Sequence, residues 1–100
     1  MRPADVALPQ RVDVTTSADV RYALQIAIDA PLDGDVVVDA SLLETIDLAG
    51  LGVLVGAHRR ARQSGRQLVL CDAQPRIVRL LAVTRLHRIL ILDRSTARAG

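Results

Sequence analysis

Lysine is absent from this chain, as are phenylalanine and tryptophan, while cysteine and tyrosine occur once each. Each absence closes a class of function. Without lysine there is no phosphate-loop signature, which needs Lys and then Ser or Thr after its glycines. All 13 basic residues are therefore arginine, a bias that reads as the coding habit of a GC-rich genome rather than as function. Without Phe or Trp, and with Tyr22 alone, the core has to be aliphatic. The same lack removes the rings on which bases stack. With acidic residues spread along the chain and a net charge of +2, nucleic acid is not an expected partner. The lone Cys71 excludes an internal disulfide and a Cys-based zinc site. No apolar run approaches the roughly 20 residues that span a bilayer, so no membrane insertion is expected. Met1-Arg2-Pro3-Ala4-Asp5 has no apolar h-region behind it. No secretory signal is expected, and the cytoplasm is the expected compartment.

What is present is strongly patterned. One hundred residues, half of them apolar, suit one domain with a small core. Val6-Ala7-Leu8 reads as a short strand ended by Pro9, and Val12-Asp13-Val14 as a second extended piece. Thr16 and Asp19 form a capping-box pattern, with Asp where Glu is usual. Val20, Leu24, Ala27 and Ile28 then share one helical face, and Pro31 and Gly34 turn the chain. Val36 to Ala40 reads as a strand buried on both faces. A loop over 41–47 leads to a helix from about Leu48 to Ser64, stopped by Gly65. Gln67 to Cys71 is a second buried strand. Asp72 is placed to cap a third helix with Pro75 in its first turn. Ile77, Leu80, Leu81 and Thr84 form that helix's inner face. Arg88 to Leu92 is a last strand, and residues 94–100 a polar tail or short helix. Alternation of this kind predicts an α/β fold, a mainly parallel sheet of about four strands with three to four helices.

Little of this sequence suggests catalysis. Gly50, Gly52 and Gly56 do not follow a strand directly, as a dinucleotide fingerprint requires, and read as a stripe for close helix packing. His58 lies beside apolar residues, and His87 lies between helix and strand. Cys71 ends an apolar strand, which is not the setting of a reactive thiol. Asp33, Asp35, Asp39, Glu44, Asp47 and Asp72 read as turn formers and caps rather than metal ligands. Arg59, Arg60, Arg62 and Arg66 cluster where cations offset a helix dipole. No cofactor, no metal site and no enzyme activity are expected.

The most informative stretch is Thr45-Ile46-Asp47-Leu48-Ala49-Gly50-Leu51-Gly52. Asp47 precedes the central helix as a natural N-cap. With the preceding Val36-Val37-Val38-Asp39-Ala40-Ser41-Leu42-Leu43-Glu44, it resembles the core of STAS domains, the anti-sigma factor antagonists. Their pattern is strand, Asp, short loop, then Asp-Ser-x-Gly-Leu opening a helix. Gly65-Arg66-Gln67-Leu68-Val69-Leu70-Cys71 and Arg79-Leu80-Leu81-Ala82-Val83-Thr84-Arg85-Leu86 keep the family's rhythm, and so does Val12-Asp13-Val14-Thr15. The resemblance implies a single STAS-like domain over 12–92. It is preceded by a short N-terminal segment over 1–11, a shortened hairpin, and followed by a tail over 93–100. Arg85 stands where the family usually has Gly. Most important, Leu48 stands where the family has its phosphoacceptor Ser or Thr.

The resemblance implies a non-catalytic module that binds a kinase-like anti-sigma factor through Asp47, Leu48, Ala49, Gly50 and Leu51, with Ser41, Glu44 and Thr45 nearby. It also implies that phosphorylation does not switch the module at the usual position, because Leu48 has no hydroxyl. Leu48 either projects as an apolar docking knob or tucks onto the sheet edge. Two alternatives stay open: a subunit of a lipid-transport ABC complex, and a scaffold that forms homodimers or hetero-oligomers with other STAS proteins.

Overall fold

The two apolar runs become neighbouring central strands. A computed structural model describes residues 4–93. Along the chain these form strands β1 (Val6–Ala7) and β2 (Arg11–Val12), helix α1 (Ser17–Asp29), strands β3 (Val36–Asp39) and β4 (Thr45–Ile46), and helix α2 (Leu48–Gln63). Strand β5 (Leu68–Cys71), helix α3 (Pro75–Val83), a 3-10 turn over Leu86–Arg88 and strand β6 (Ile91–Asp93) follow. The main sheet has the order β1-β3-β5-β6, and every pairing in it is parallel. Register sets Asp39 beside Cys71 and Cys71 beside Asp93, so the strands end level at their carboxyl edge. The core is aliphatic, as the lack of Phe and Trp requires. Val20, Leu24 and Ile28 of α1 meet Val36, Val38, Leu54, Leu68, Leu70 and Leu81 in one buried cluster.

Some expectations hold and several are corrected. Val69 is buried between Leu68 and Leu70, so β5 is covered on both faces. In β3, Val37 and Asp39 stay half-buried, so that strand alternates instead. The loop expected over 41–47 contains β4, which pairs in parallel with β2 as a second, two-stranded sheet. β1 and β2 therefore do not pair with each other. Val12-Asp13-Val14 is not a strand throughout, because the Asp13 carboxylate accepts from Thr15 N at 2.9 Å and from Thr15 Oγ1 at 2.6 Å, which bends the chain. Thr16 makes no capping bond. Its hydroxyl is engaged by the preceding turn, accepting from Asp13 N and donating to Arg11 O, both at 3.0 Å. Asp72 does not cap α3 either. It sits two residues before the N-cap Gln74, in the left-handed region at φ 60°. Thr84 is exposed, its hydroxyl donating to Leu80 O at 2.9 Å. The last strand begins later than expected, because Leu86–Arg88 first closes a 3-10 turn. Arg85 enters that turn at φ 63°, a conformation that suits Gly. The expected tail or helix over 94–100 lies outside the described residues. Among them, no helix is long and apolar enough to cross a membrane.

Arg66 is the one buried charged side chain among the described residues. Its Nε donates to Gly34 O at 2.9 Å, and its Nη1 to Ala27 O and Ile28 O at 3.0 Å each. The guanidinium thereby satisfies the last carbonyls of α1 and fastens the turn into β3. A helix end is where a cation is most favourable. Replacing it takes the donor from those carbonyls, of which that of Ile28 is held at a buried contact and the others at partly buried ones. Arg66→Ala is expected to lower unfolding free energy by about 2–4 kcal/mol, with Arg66→Lys recovering only part of it. Urea denaturation of the three proteins checks this, and an effect under about 0.5 kcal/mol would show that the clamp is dispensable.

Candidate partner-binding site

The start of α2 is assembled by one carboxylate. Asp47 is extended at φ −105°, ψ −173°, and its Oδ1 accepts from Gly50 N at 2.9 Å as an N-cap. Its Oδ2 accepts from Val14 N at 3.3 Å, reaching the turn that follows β2. The backbone repeats the link: Asp47 N donates to Val12 O at 3.3 Å, and Leu51 N to Asp47 O at 2.9 Å. The adjoining turn is stiffened by Asp13, whose carboxyl is held below its usual range by the Thr15 hydroxyl and then by the Thr15 N–H.

Gly50 makes this junction possible. A methyl group there would collide with the Val12 carbonyl oxygen and come within 2.6 Å of Ile46 Cγ1. Gly52 and Gly56 differ, since nothing lies within 4 Å of where their Cβ would be. The expected packing stripe is therefore one tight contact at Gly50 and two open positions. The periodicity of a helix does not distinguish these cases.

On this support Leu48 projects into solvent, 84% exposed, and does not tuck onto the sheet. Ala49, Asp47, Thr45, Glu44 and Ser41 are also exposed. Gly50 and Leu51 are buried, so they shape the site from beneath and offer no side chain to a partner. The loop before β4 is tethered by Glu44 N and Thr45 N, which donate to Gln10 O at 2.8 and 3.1 Å. Ser41 lies further along the carboxyl edge, its carbonyl accepting from Gln74 Nε2 at 3.0 Å. Val14, 74% exposed, adjoins the site through its N–H bond to Asp47, and Leu42 is exposed as well, at 60%. Sequence reasoning missed both as surface residues. The Asp13-Val14-Thr15 spacing was the available signal, because Asp two before Thr marks a turn in which the middle residue faces outward.

Among the described residues, the two histidines and the cysteine stand apart from this surface. His58 is half-buried on α2, its ring held below the usual histidine range by burial and by the charges of Arg62 and Arg59. His87 is exposed on the 3-10 turn, and Cys71 is half-buried at the end of β5. Among the described residues, no three His, Cys, Asp or Glu side chains gather as a metal site would need. The arginine cluster also disperses. Arg66 is buried, Arg60 pairs with Asp29 at 2.6 Å, and Arg59 and Arg62 are exposed.

Comparison with known proteins gives a consistent result. The family model described as "Mlab, STAS domain" matches residues 2–93. An anti-sigma F factor antagonist of Paenibacillus polymyxa is 32% identical over 85 residues, which is 85% of this chain and 73% of that protein. An anti-sigma-B factor antagonist of Listeria monocytogenes is 32% identical over 87 residues, 86% of this chain and 75% of that protein. The solved structure of an anti-sigma-factor antagonist (STAS) domain protein from Planctomyces limnophilus superposes with a TM-score of 0.77 at 20% identity. It covers 92% of this chain and 85% of that one, a likeness of fold.

The contrast among the glycines is directly measurable. Gly50→Ala is expected to cost at least about 1–3 kcal/mol, because backbone would have to move. Gly52→Ala, in open space within the same helix, is expected to add up to about 1 kcal/mol. Thermal and urea unfolding of both variants checks the opposite signs; the same sign in both would contradict the close approach of Val12 to Gly50.

Proposed function

Since the chain belongs to the STAS domain family, we propose that it is a non-catalytic binding module of the anti-sigma factor antagonist kind. In this reading it docks on a kinase-type anti-sigma factor through the surface around Leu48. The supporting observation is the 84% exposure of Leu48 on a helix start held in place by Asp47 and Gly50. An isolated apolar side chain in water gains by being covered, at about 25 cal/mol per Å² of area removed. Val14 enlarges the area available to a partner, and Ser41, Glu44 and Thr45 supply a polar rim.

The same position explains why docking would not be reversed by phosphorylation there. A phosphate on the residue after Asp47 would bring about −1.5 to −2 charges next to a carboxylate, inside an interface that must lose its water. Leucine offers no oxygen to accept it. Regulation of this module would then rest on its abundance and on competition with other partners. The anti-sigma antagonist reading rests on family membership and on the two relatives so named.

A second reading uses the same surface for a permanent contact with the ATPase of a lipid-transport ABC complex. The exposed leucines and valine favour it, since permanent interfaces are more apolar than transient ones.

Two measurements address these readings. Leu48→Glu is expected to weaken partner capture about tenfold or more, because it removes the apolar contact and places a charge beside Asp47. Side-by-side pull-downs check this, and recovery of an ATPase instead of an anti-sigma kinase selects the second reading. Incubation with the anti-sigma kinase and ATP is expected to leave the protein unphosphorylated by intact mass. Stoichiometric phosphate on Thr45 or Ser41 would refute immunity to the kinase.

A further inference from the structure

A second concave region lies away from the α2 N-terminus, between α1 and α2. It is a groove of about 290 Å³. Its apolar bottom is formed by Leu24, Val53 and Ala57, and its upper walls carry Arg21 and Gln25 from α1 and Arg59 and Gln63 from α2. Among the described residues, no acidic side chain lines it. Arg60 borders it as well but is occupied, with Nε donating to Asp29 Oδ1 at 3.1 Å and Nη2 to Oδ2 at 2.6 Å. Arg21 and Arg59 have no carboxylate partner among the described residues.

The charge is not explained by helix stabilisation alone. Arg59 stands toward the C-terminus of α2, where the dipole favours a cation, but Arg21 stands in the N-terminal half of α1, where it does not. The space also needs an explanation. It exists where Gly52 and Gly56 line the groove and have no neighbour within 4 Å of a Cβ. Each such glycine costs about 1 kcal/mol against alanine in a helix interior and gains nothing here from close packing.

We propose that this groove binds a small phosphomonoester, either free or as a lipid headgroup. Arg21 and Arg59 grip the dianion from opposite walls, and the organic part lies over Leu24, Val53 and Ala57. Guanidinium is suited to this task, because its planar fork donates two parallel bonds to a phosphoryl group. Gln25 and Gln63 add neutral donors at the rim. The volume sits at the lower end of ligand pockets, so the ligand is compact and a dinucleotide is too large.

The test is an amide chemical-shift titration of the whole protein with glycerol 3-phosphate, at ionic strength held constant with chloride. Saturable shifts are expected at Gly52 and Gly56. A parallel arm measures co-flotation with phosphatidylcholine vesicles with and without phosphatidic acid. Arg21→Gln combined with Arg59→Gln is expected to weaken binding at least about tenfold, from the loss of two charge-assisted contacts. Both residues are exposed, so the variant keeps its fold, which its spectrum verifies. Gly56→Leu, entering open space, is expected to fill the groove and block binding without unfolding the domain. Saturable shifts with glycerol 3-phosphate identify a soluble ligand. Flotation confined to phosphatidic acid vesicles, and lost in the double variant, identifies a headgroup. The proposal is overturned by no saturable response in either arm, or by responses that the arginine substitutions leave unchanged.

Discussion

The close passage of the Val12 backbone beneath Gly50 is the contact on which the exposed surface depends. It allows Asp47 to bond the helix in one direction and the Val14 turn in the other. Two segments distant in sequence are thereby joined at one carboxylate, and Leu48 is left pointing away from both. A side chain at position 50 would push α2 off the small β2–β4 sheet. Leu48 would then lose the rigid base that makes an exposed apolar residue useful for recognition, since a preorganised contact loses less entropy when a partner arrives.

Arginine alone supplies the basic chemistry of this chain, and it serves different purposes at different depths. Buried Arg66 donates to carbonyls from α1 and the following turn, a role that needs several donors in a fixed plane. Half-exposed Arg60 makes a two-pronged bond to Asp29 that links α2 to α1. An exposed pair of this kind contributes modestly to stability, and its value here is geometric. Among the described residues Arg21 and Arg59 have no carboxylate partner, and both border the groove. One residue type thus spans structural and candidate binding roles, and only burial and partners distinguish them.

Much of the architecture was legible in the residues. Period-3.6 apolar spacing located the helices and unbroken apolar runs located the main strands, and the parallel α/β class followed from their alternation. Gly34 and Gly65 occupy left-handed turns where the chain was expected to stop. Asp47 caps α2 as its position suggested. Local rules failed where side chains had competing partners. Thr16 had a better use in the preceding turn than at the helix start, and Asp72 turned the backbone instead of capping. Strand β4 was invisible because two residues carry no periodicity and pair only when β2 lies alongside.

The candidate site divides in the same way. The sequence by itself determined the aliphatic core, the order of elements, the capped start of α2 and the lack of a hydroxyl at position 48, because composition and short-range spacing decide these. Tertiary structure alone decided that Leu48 and Val14 face solvent on either side of Asp47, and that the neighbouring arginines divide into one buried, one paired and two exposed. Those outcomes depend on contacts across long stretches of chain, such as Arg66 with Ala27 and Asp47 with Val14. Whether a side chain is covered, paired or left open is settled by what the fold brings beside it, and no local pattern carries that information.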